Sequence, residues 1–289
     1  MRKSVNYPLI TPFISTPKIT AIKSVFGSSL NDMECYGINI WSQKASSAIY
    51  PILQQLEITL RNSIDKEAKK TFGGNLWWDR IYTDNTKQNH GDFIAKINKA
   101  KKDHSTTNHD DIISKTDFYT WQAIFSDAHH SKRKSVNNAL WPRLTYRVLK
   151  GLDRQQDEQV ARQDFVNKLN EIRLYRNRLS HNDCIWVKYN SNNKKSAIDS
   201  ILEKINDAEL LIKTINSNVH QALTIWGVFE HAKRVCSENE LDFYLGLGFI
   251  ELKKTGRFKS LMDIYDDTKD GKKSNVLNLN GSHLAIHKF

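Results

Sequence analysis

The run Arg176-Asn177-Arg178-Leu179-Ser180-His181 carries the residue types from which a phosphodiester-cleaving site can be built. An arginine holds a phosphate through paired N–H donors, and a histidine takes or gives a proton near neutral pH. Together they are the minimum kit for cleaving RNA without a metal. On an uninterrupted helix Arg176 and His181 would point about 140° apart, at roughly 100° per residue. The helix must therefore end or bend near His181 if the pair is to serve one substrate. Ser180, with Asp183 in the third position after it, offers a cap for a following turn.

The element that must position the pair reads as an amphipathic helix over residues 156–179. Phe165, Leu169, Ile172, Arg176 and Leu179 recur at helical spacing, so Arg176 is expected on the core-facing stripe. A guanidinium there is costly unless an anion pairs with it. Two readings follow: a core ion pair with a protein carboxylate, or a cleft-facing arginine that waits for a phosphate.

Other helices frame this one. Ile49, Ile52, Leu53, Leu56, Leu60 and Ile64 form the stripe of a helix over 42–72, closed by Gly73-Gly74. Trp77-Trp78 read as core anchors. Residues 93–102 form a short basic helix, 103–116 a polar loop, and 117–126 a helix that packs Phe118, Trp121 and Phe125. A long helix over 196–226 has Ile198, Ile201, Leu202, Ile205, Ile212, Ile215, Val219 and Leu223 as its stripe. Pro8, Pro12 and Pro17 suggest an extended arm, followed by a short helix over 19–30. Residues 241–250 read as helical. The alternating residues on either side of Asn280-Gly281 carry a hairpin signal with type I′ turn chemistry.

The 289 residues, 39% apolar and 26% charged, have an ordinary globular composition, and the formal charge is +11. Basicity of this size favours a polyanionic partner. The basic residues cluster in 96–102 and in 131–150, a stretch without an acidic residue that holds Lys132, Arg133, Lys134, Arg143, Arg147 and Lys150 beside Trp141 and Tyr146. Cys35, Cys184 and Cys236 are too widely spaced for a disulfide framework or a zinc site, which fits a reducing cytoplasm. The start of the chain has no continuous apolar segment, and no apolar run is long enough to span a membrane. His129-His130 reads as a solvated turn. His109-Asp110-Asp111 has a metal-ligand flavour, but no partner at helical spacing. No phosphate-binding glycine loop or nucleophile elbow is present.

The motif resembles the catalytic Arg-Asn-x-x-x-His of the HEPN superfamily of ribonucleases and, more narrowly, the Abi-like (abortive infection) proteins. Leu56-Glu57-x-x-Leu60-Arg61-Asn62, Gly73 before Trp77-Trp78, and residues 176–182 carry the resemblance, which covers about 40–225. It implies an all-α, HEPN-like helical bundle over 41–235; outside the match lie 1–40, read as an N-terminal arm, and 236–289, read as a C-terminal appendage that includes the hairpin. It also implies a metal-independent, cofactor-free endoribonuclease acting in phage defence or as a toxin. Two protomers would form the composite site, and an antitoxin or guide RNA would be a partner. Arg176 would hold the scissile phosphate, His181 would move protons, and Asn177 would orient the phosphate or the histidine. Glu57 and Arg61 would hold the motif helix. RNA would track along Lys96, Lys99, Lys132, Arg133, Lys134, Arg143, Arg147 and Arg178. Two alternatives stay open: a non-catalytic RNA-binding protein of the same fold, and a structural, partner-binding bundle.

RNA affinity is expected to fall with salt, each lost phosphate contact reducing the slope of log affinity against log salt by about 0.7 to 0.9. Reversing Lys132, Arg133 and Lys134 to glutamate should weaken binding without unfolding the protein. Unchanged affinity would place the RNA elsewhere.

Overall fold

The computed structural model describes residues 5–103, 108–133, 135–187, 191–247, 249–251, 263, 266, 275–279 and 282–286. They are predominantly α-helical. The first forty residues do not form an extended arm. Each early proline instead opens a helical turn: Pro8 in α1 (Tyr7–Ile10), Pro12 in a 3-10 turn (Thr11–Ile14) and Pro17 in α2 (Thr16–Phe26). Proline's fixed φ and missing N–H suit the first position of a helix, where that donor has no partner anyway. The helix α3 (Asp32–Phe72) starts ten residues earlier than the apolar stripe suggests. Its start is a capping box in which the Asn31 amide donates to the Glu34 carboxylate at 2.8 Å and the Glu34 amide donates to Asn31 Oδ1 at 3.0 Å. Gly73, at φ +74°, ends it.

Then follow α4 (Asp92–Asp103), α5 (His109–Ser114), α6 (Phe118–Ala123), α7 (Thr145–Val148) and α8 (Glu158–Ser180). Helix α5 replaces part of the expected loop, because Asn108 caps it by accepting from the amides of Asp110 and Asp111. The expected single helix over 196–226 is two, α9 (Lys194–Ile215) and α10 (Ser217–Ile225). The break falls at Asn216, whose side chain accepts from the amides of Asn218 and Val219. Next come α11 (Val228–Val235) and α12 (Glu238–Tyr244). The chain past α12, read as helical to 250, is strand β1 (Phe249–Glu251). β1 runs parallel to β2 (Asn275–Leu279), and β2 pairs antiparallel with β3 (Ser282–Ile286). The hairpin forms in the expected register, Leu279 opposite Ser282. Its turn residues Asn280 and Gly281 lie outside the described residues.

The contacts divide the chain into two compact units that cut across the expected boundaries. One comprises 1–52, 175–206 and 223–289, and the other comprises 53–174 and 207–222. The N-terminal residues therefore share a unit with the C-terminal ones instead of forming a separate arm. In the first unit Ile22, Val25, Ile38, Trp41, Trp186 and Phe229 are buried. Phe26 meets Trp41 and Trp186 edge-on, and the Trp41 indole donates to the Val235 carbonyl at 2.9 Å. Gly37 allows close approach of the backbone, since a Cβ there would lie 2.3 Å from the Tyr244 carbonyl oxygen.

In the second unit Trp77, Trp78, Phe93, Trp121 and Trp141 are buried. Trp141, set among the basic residues, stacks on Phe125 at 4.6 Å and is a core residue. Asp65 accepts from the Trp77 indole and from His109 Nε2, both at 2.8 Å, and pairs with Lys69 at 3.1 Å. His109 also reaches Asp110 and stacks on Trp78, so it belongs to the core network. Among the described residues no group of three or more His, Cys, Asp or Glu could hold a metal ion.

The expected solvated turn at His129-His130 is instead buried. His129 is fully enclosed, with its Nδ1–H on the Tyr82 carbonyl at 3.0 Å. Burial holds both imidazoles below the usual histidine range, and for His130 the Arg162 guanidinium adds to the effect. A histidine kept neutral in the fold but free to charge when unfolded makes the unfolded state bind more protons. Stability should therefore drop as the pH falls through the ordinary value of 6.5 and below. Urea midpoints near pH 7 and near pH 5 measure this. The His129→Asn, His130→Asn variant should lose less on acidification than wild type; an equal loss would refute the assignment.

Candidate nucleic-acid site

The site is built by the way α8 ends. The apolar stripe of this helix is Phe165, Leu169, Ile172, Tyr175 and Leu179, all buried. Tyr175, not Arg176, occupies the core position between Ile172 and Leu179. Its hydroxyl donates to the Ile185 carbonyl at 2.8 Å, and burial pushes the phenol far up. A stripe with steps of three, three and four satisfies the helical repeat as well as the one chosen from sequence, and the larger apolar ring takes the interior. Arg176 lies beside the stripe, half-buried.

The last turn closes with paired reverse bonds. The Asn182 amide donates to the Leu179 carbonyl and the Asp183 amide to the Arg178 carbonyl, each at 3.1 Å, and Asn182 takes the left-handed conformation at φ +54°. This is the Schellman pattern, with asparagine in the position glycine usually takes. It replaces the expected cap by Ser180. The Ser180 hydroxyl instead donates to the Arg176 carbonyl at 3.0 Å and accepts from Tyr50 at 2.9 Å. His181 is the residue at which helical geometry stops, and it is exposed. Asn177 is half-buried, and its carbonyl accepts from the His181 amide at 3.1 Å.

Four arginines on α8 differ in one decisive respect. Arg162 is the arginine in the core: its side chain is 1% exposed, and it reaches Glu158, Asp127 and the Phe125 carbonyl. Arg173 bonds Gln122 and Asn170 and lies over the Tyr119 ring. Arg178, expected on the RNA track, is committed within its unit. Its guanidinium donates to Asp183 at 3.2 Å and to the carbonyls of Cys184 and Trp186 at 2.8 and 2.9 Å. Arg176 alone has no hydrogen-bond or ion-pair partner for its side chain among the described residues.

Beside the cap is a cavity of about 370 Å³ that sequence reasoning missed. Its walls include Ser42, Ser46 and Tyr50 from α3, Lys18 from α2, and Ser180 and Asn182 on either side of His181. The Lys18 ammonium donates to the Asn182 carbonyl at 3.2 Å. Ser42, Ser46 and Tyr50 share one helix face, and their i, i+4, i+8 spacing was the available signal. Neither Arg176 nor His181 lines this cavity. The cysteines contribute no exposed nucleophile: all three are buried, and burial pushes the Cys35 and Cys236 thiols up.

Glu57 and Arg61 lie half-buried on α3 in the second unit, where Arg61 donates to Asn62 Oδ1 at 3.3 Å. Lys99, Lys132 and Arg133 are exposed. Lys96 pairs with Asp117 at 2.9 Å, Arg143 donates to the Asn137 carbonyl, and Arg147 donates to Thr71 at 3.3 Å. Lys134 lies outside the described residues. Comparison with protein-family models, curated proteins and solved structures finds no match to this chain.

The two neighbouring arginines should respond oppositely to truncation. Arg178→Ala strips partners from a carboxylate and two carbonyls and should cost about 2 kcal/mol or more, as for hydrogen bonds to charged groups. Arg176→Ala removes no protein partner and should leave the melting temperature near wild type. Unfolding caused by Arg176→Ala would make that arginine structural.

Proposed function

We propose that the chain is a metal-independent endoribonuclease of the Abi-like HEPN type, acting in phage defence or as a toxin. The observation that carries this reading is the Arg176 guanidinium, which has no partner among the described residues and lies five positions before an exposed His181 at the helix cap. Three other arginines on the same helix satisfy themselves within the protein. Leaving one without a partner among the described residues is the kind of local inconsistency that functional sites carry.

In the proposed reaction His181 takes the proton of the ribose 2′-hydroxyl as its oxygen attacks the adjacent phosphorus. The bond from phosphorus to the 5′-oxygen breaks, leaving a 2′,3′-cyclic phosphate. The departing oxygen takes up a proton from a second acid. Arg176 stabilises the charge that builds on the phosphoryl oxygens, and Asn177 orients the phosphate or the imidazole. One histidine does not readily serve as base and acid in a concerted step, so the second acid is assigned to the histidine of another copy across a two-fold interface. Ile225 and Trp226, 75% and 74% exposed on the same unit as the motif, supply apolar surface of the kind an interface covers.

His181→Ala should abolish cleavage of total RNA in the presence of chelator while leaving the fold intact. Arg176→Ala should lower the cleavage rate by on the order of 10²-fold, as for other lost transition-state donors. Sizing chromatography should show a dimer. Full cleavage by a strict monomer would refute the composite site, and RNA binding without cleavage would select the non-catalytic alternative.

A further inference from the structure

The second unit holds a groove of about 200 Å³ that the site above does not use. One wall is a face of α3, where Asn62, Lys66 and Glu67 follow Thr59 at helical spacing. The other walls bring in Arg147, Lys150 and Asn216. Three cations and one carboxylate line the concavity, an excess of one sign that concentrates positive potential.

The cations here differ from several others in the same unit. Lys69, Lys96, Lys101 and Lys168 each reach an aspartate. Lys66 and Lys150 are exposed and have no carboxylate partner among the described residues, and Arg147 gives only one bond, to the Thr71 hydroxyl at 3.3 Å. Amide donors flank them. Asn62 Oδ1 accepts from Arg61, and Asn216 Oδ1 accepts from the amides of Asn218 and Val219, which leaves the NH2 of each side chain unspent. Asn216 also marks the N-terminus of the nine-residue α10, which adds the positive end of a helix dipole.

We infer that this groove is a phosphate-binding track for an RNA strand, with Lys66, Arg147 and Lys150 as the cations and Asn62 and Asn216 as neutral donors. Lys66 on α3, Arg147 and Lys150 at and just past α7, and Asn216 bring donors to the groove from three segments, so they can share successive phosphates of a nucleic-acid backbone. The inference rests on the ribonuclease reading for its ligand. Glu67 sets the sign: as the one carboxylate on this lining, it should oppose binding.

The test measures binding of a labelled, short, single-stranded RNA to the full chain carrying His181→Ala, between about 50 and 200 mM salt. Lys66→Ala with Lys150→Ala should weaken binding about tenfold or more and lower the salt slope by about 1.4, two single-strand contacts at about 0.7 each. Glu67→Gln should tighten binding. Lys87→Ala with Lys195→Ala, an equal loss of charge at exposed positions elsewhere, should do much less. A groove variant that matches this control in affinity and slope overturns the inference. Thermal protection by inorganic phosphate that disappears in the groove variant while RNA affinity stays unchanged makes the groove a free-anion site, and also overturns it. Cleavage by the wild-type chain is scored separately. Cleavage with no groove effect sinks the track alone, and a groove effect without cleavage sinks the nuclease alone.

Discussion

The reversal of the chain after α8 depends on one guanidinium. Arg178 grips Asp183 and the carbonyls of Cys184 and Trp186, while Asn182 turns left-handed between them. The Asn182 and Asp183 amides satisfy two carbonyls that the helix end would otherwise leave open, and the Arg178 bonds satisfy two more in the segment beyond it. They also fix where Ile185 and Trp186 enter the core, and with them the Tyr175 hydroxyl bond and the edge-on ring of Phe26. Because the reversal begins at His181, the same interaction holds that histidine at the surface.

Arg176, expected on the core-facing stripe, lies half-buried beside it, and Arg178, expected on the RNA track, is the structural clamp. Both outcomes follow from the same accounting. A buried cation must find anions or carbonyls, and Arg162 and Arg178 have them within reach of a single side chain. Arg176 has none among the described residues. An arginine left over when its neighbours are satisfied is a stronger pointer to a ligand than an arginine merely placed on an apolar stripe.

The second unit shows the opposite economy. Asp65, His109, Trp77 and Lys69 bind one another, and His129 lies among aromatic rings. Residues with catalytic reputations therefore act here as packing and polar filling. Among the groups left available in that unit are the lysine, arginine and amide side chains that line the groove, chemistry suited to holding a backbone without cutting it.

Periodicity alone determined much of this protein: a largely helical chain, the α3 stripe from Ile49 to Ile64, the extent of α8 and the terminal hairpin. These are local properties, since an apolar repeat or an Asn-Gly pair acts on its own neighbours. Some of what was misread was also local and legible, such as prolines that open helices and the Asn31–Glu34 capping box. Tertiary structure alone decided the rest. Which of Tyr175 and Arg176 faces inward depends on what packs opposite, because neighbouring positions fit the same 3.6-residue repeat within its tolerance. Whether His109, His129 and Arg178 are spent or free depends on partners 44, 47 and 5 to 8 residues away along the chain. Spacing in sequence carries no information about a carbonyl that arrives from another element, so the sequence named the arginines and the fold assigned their partners.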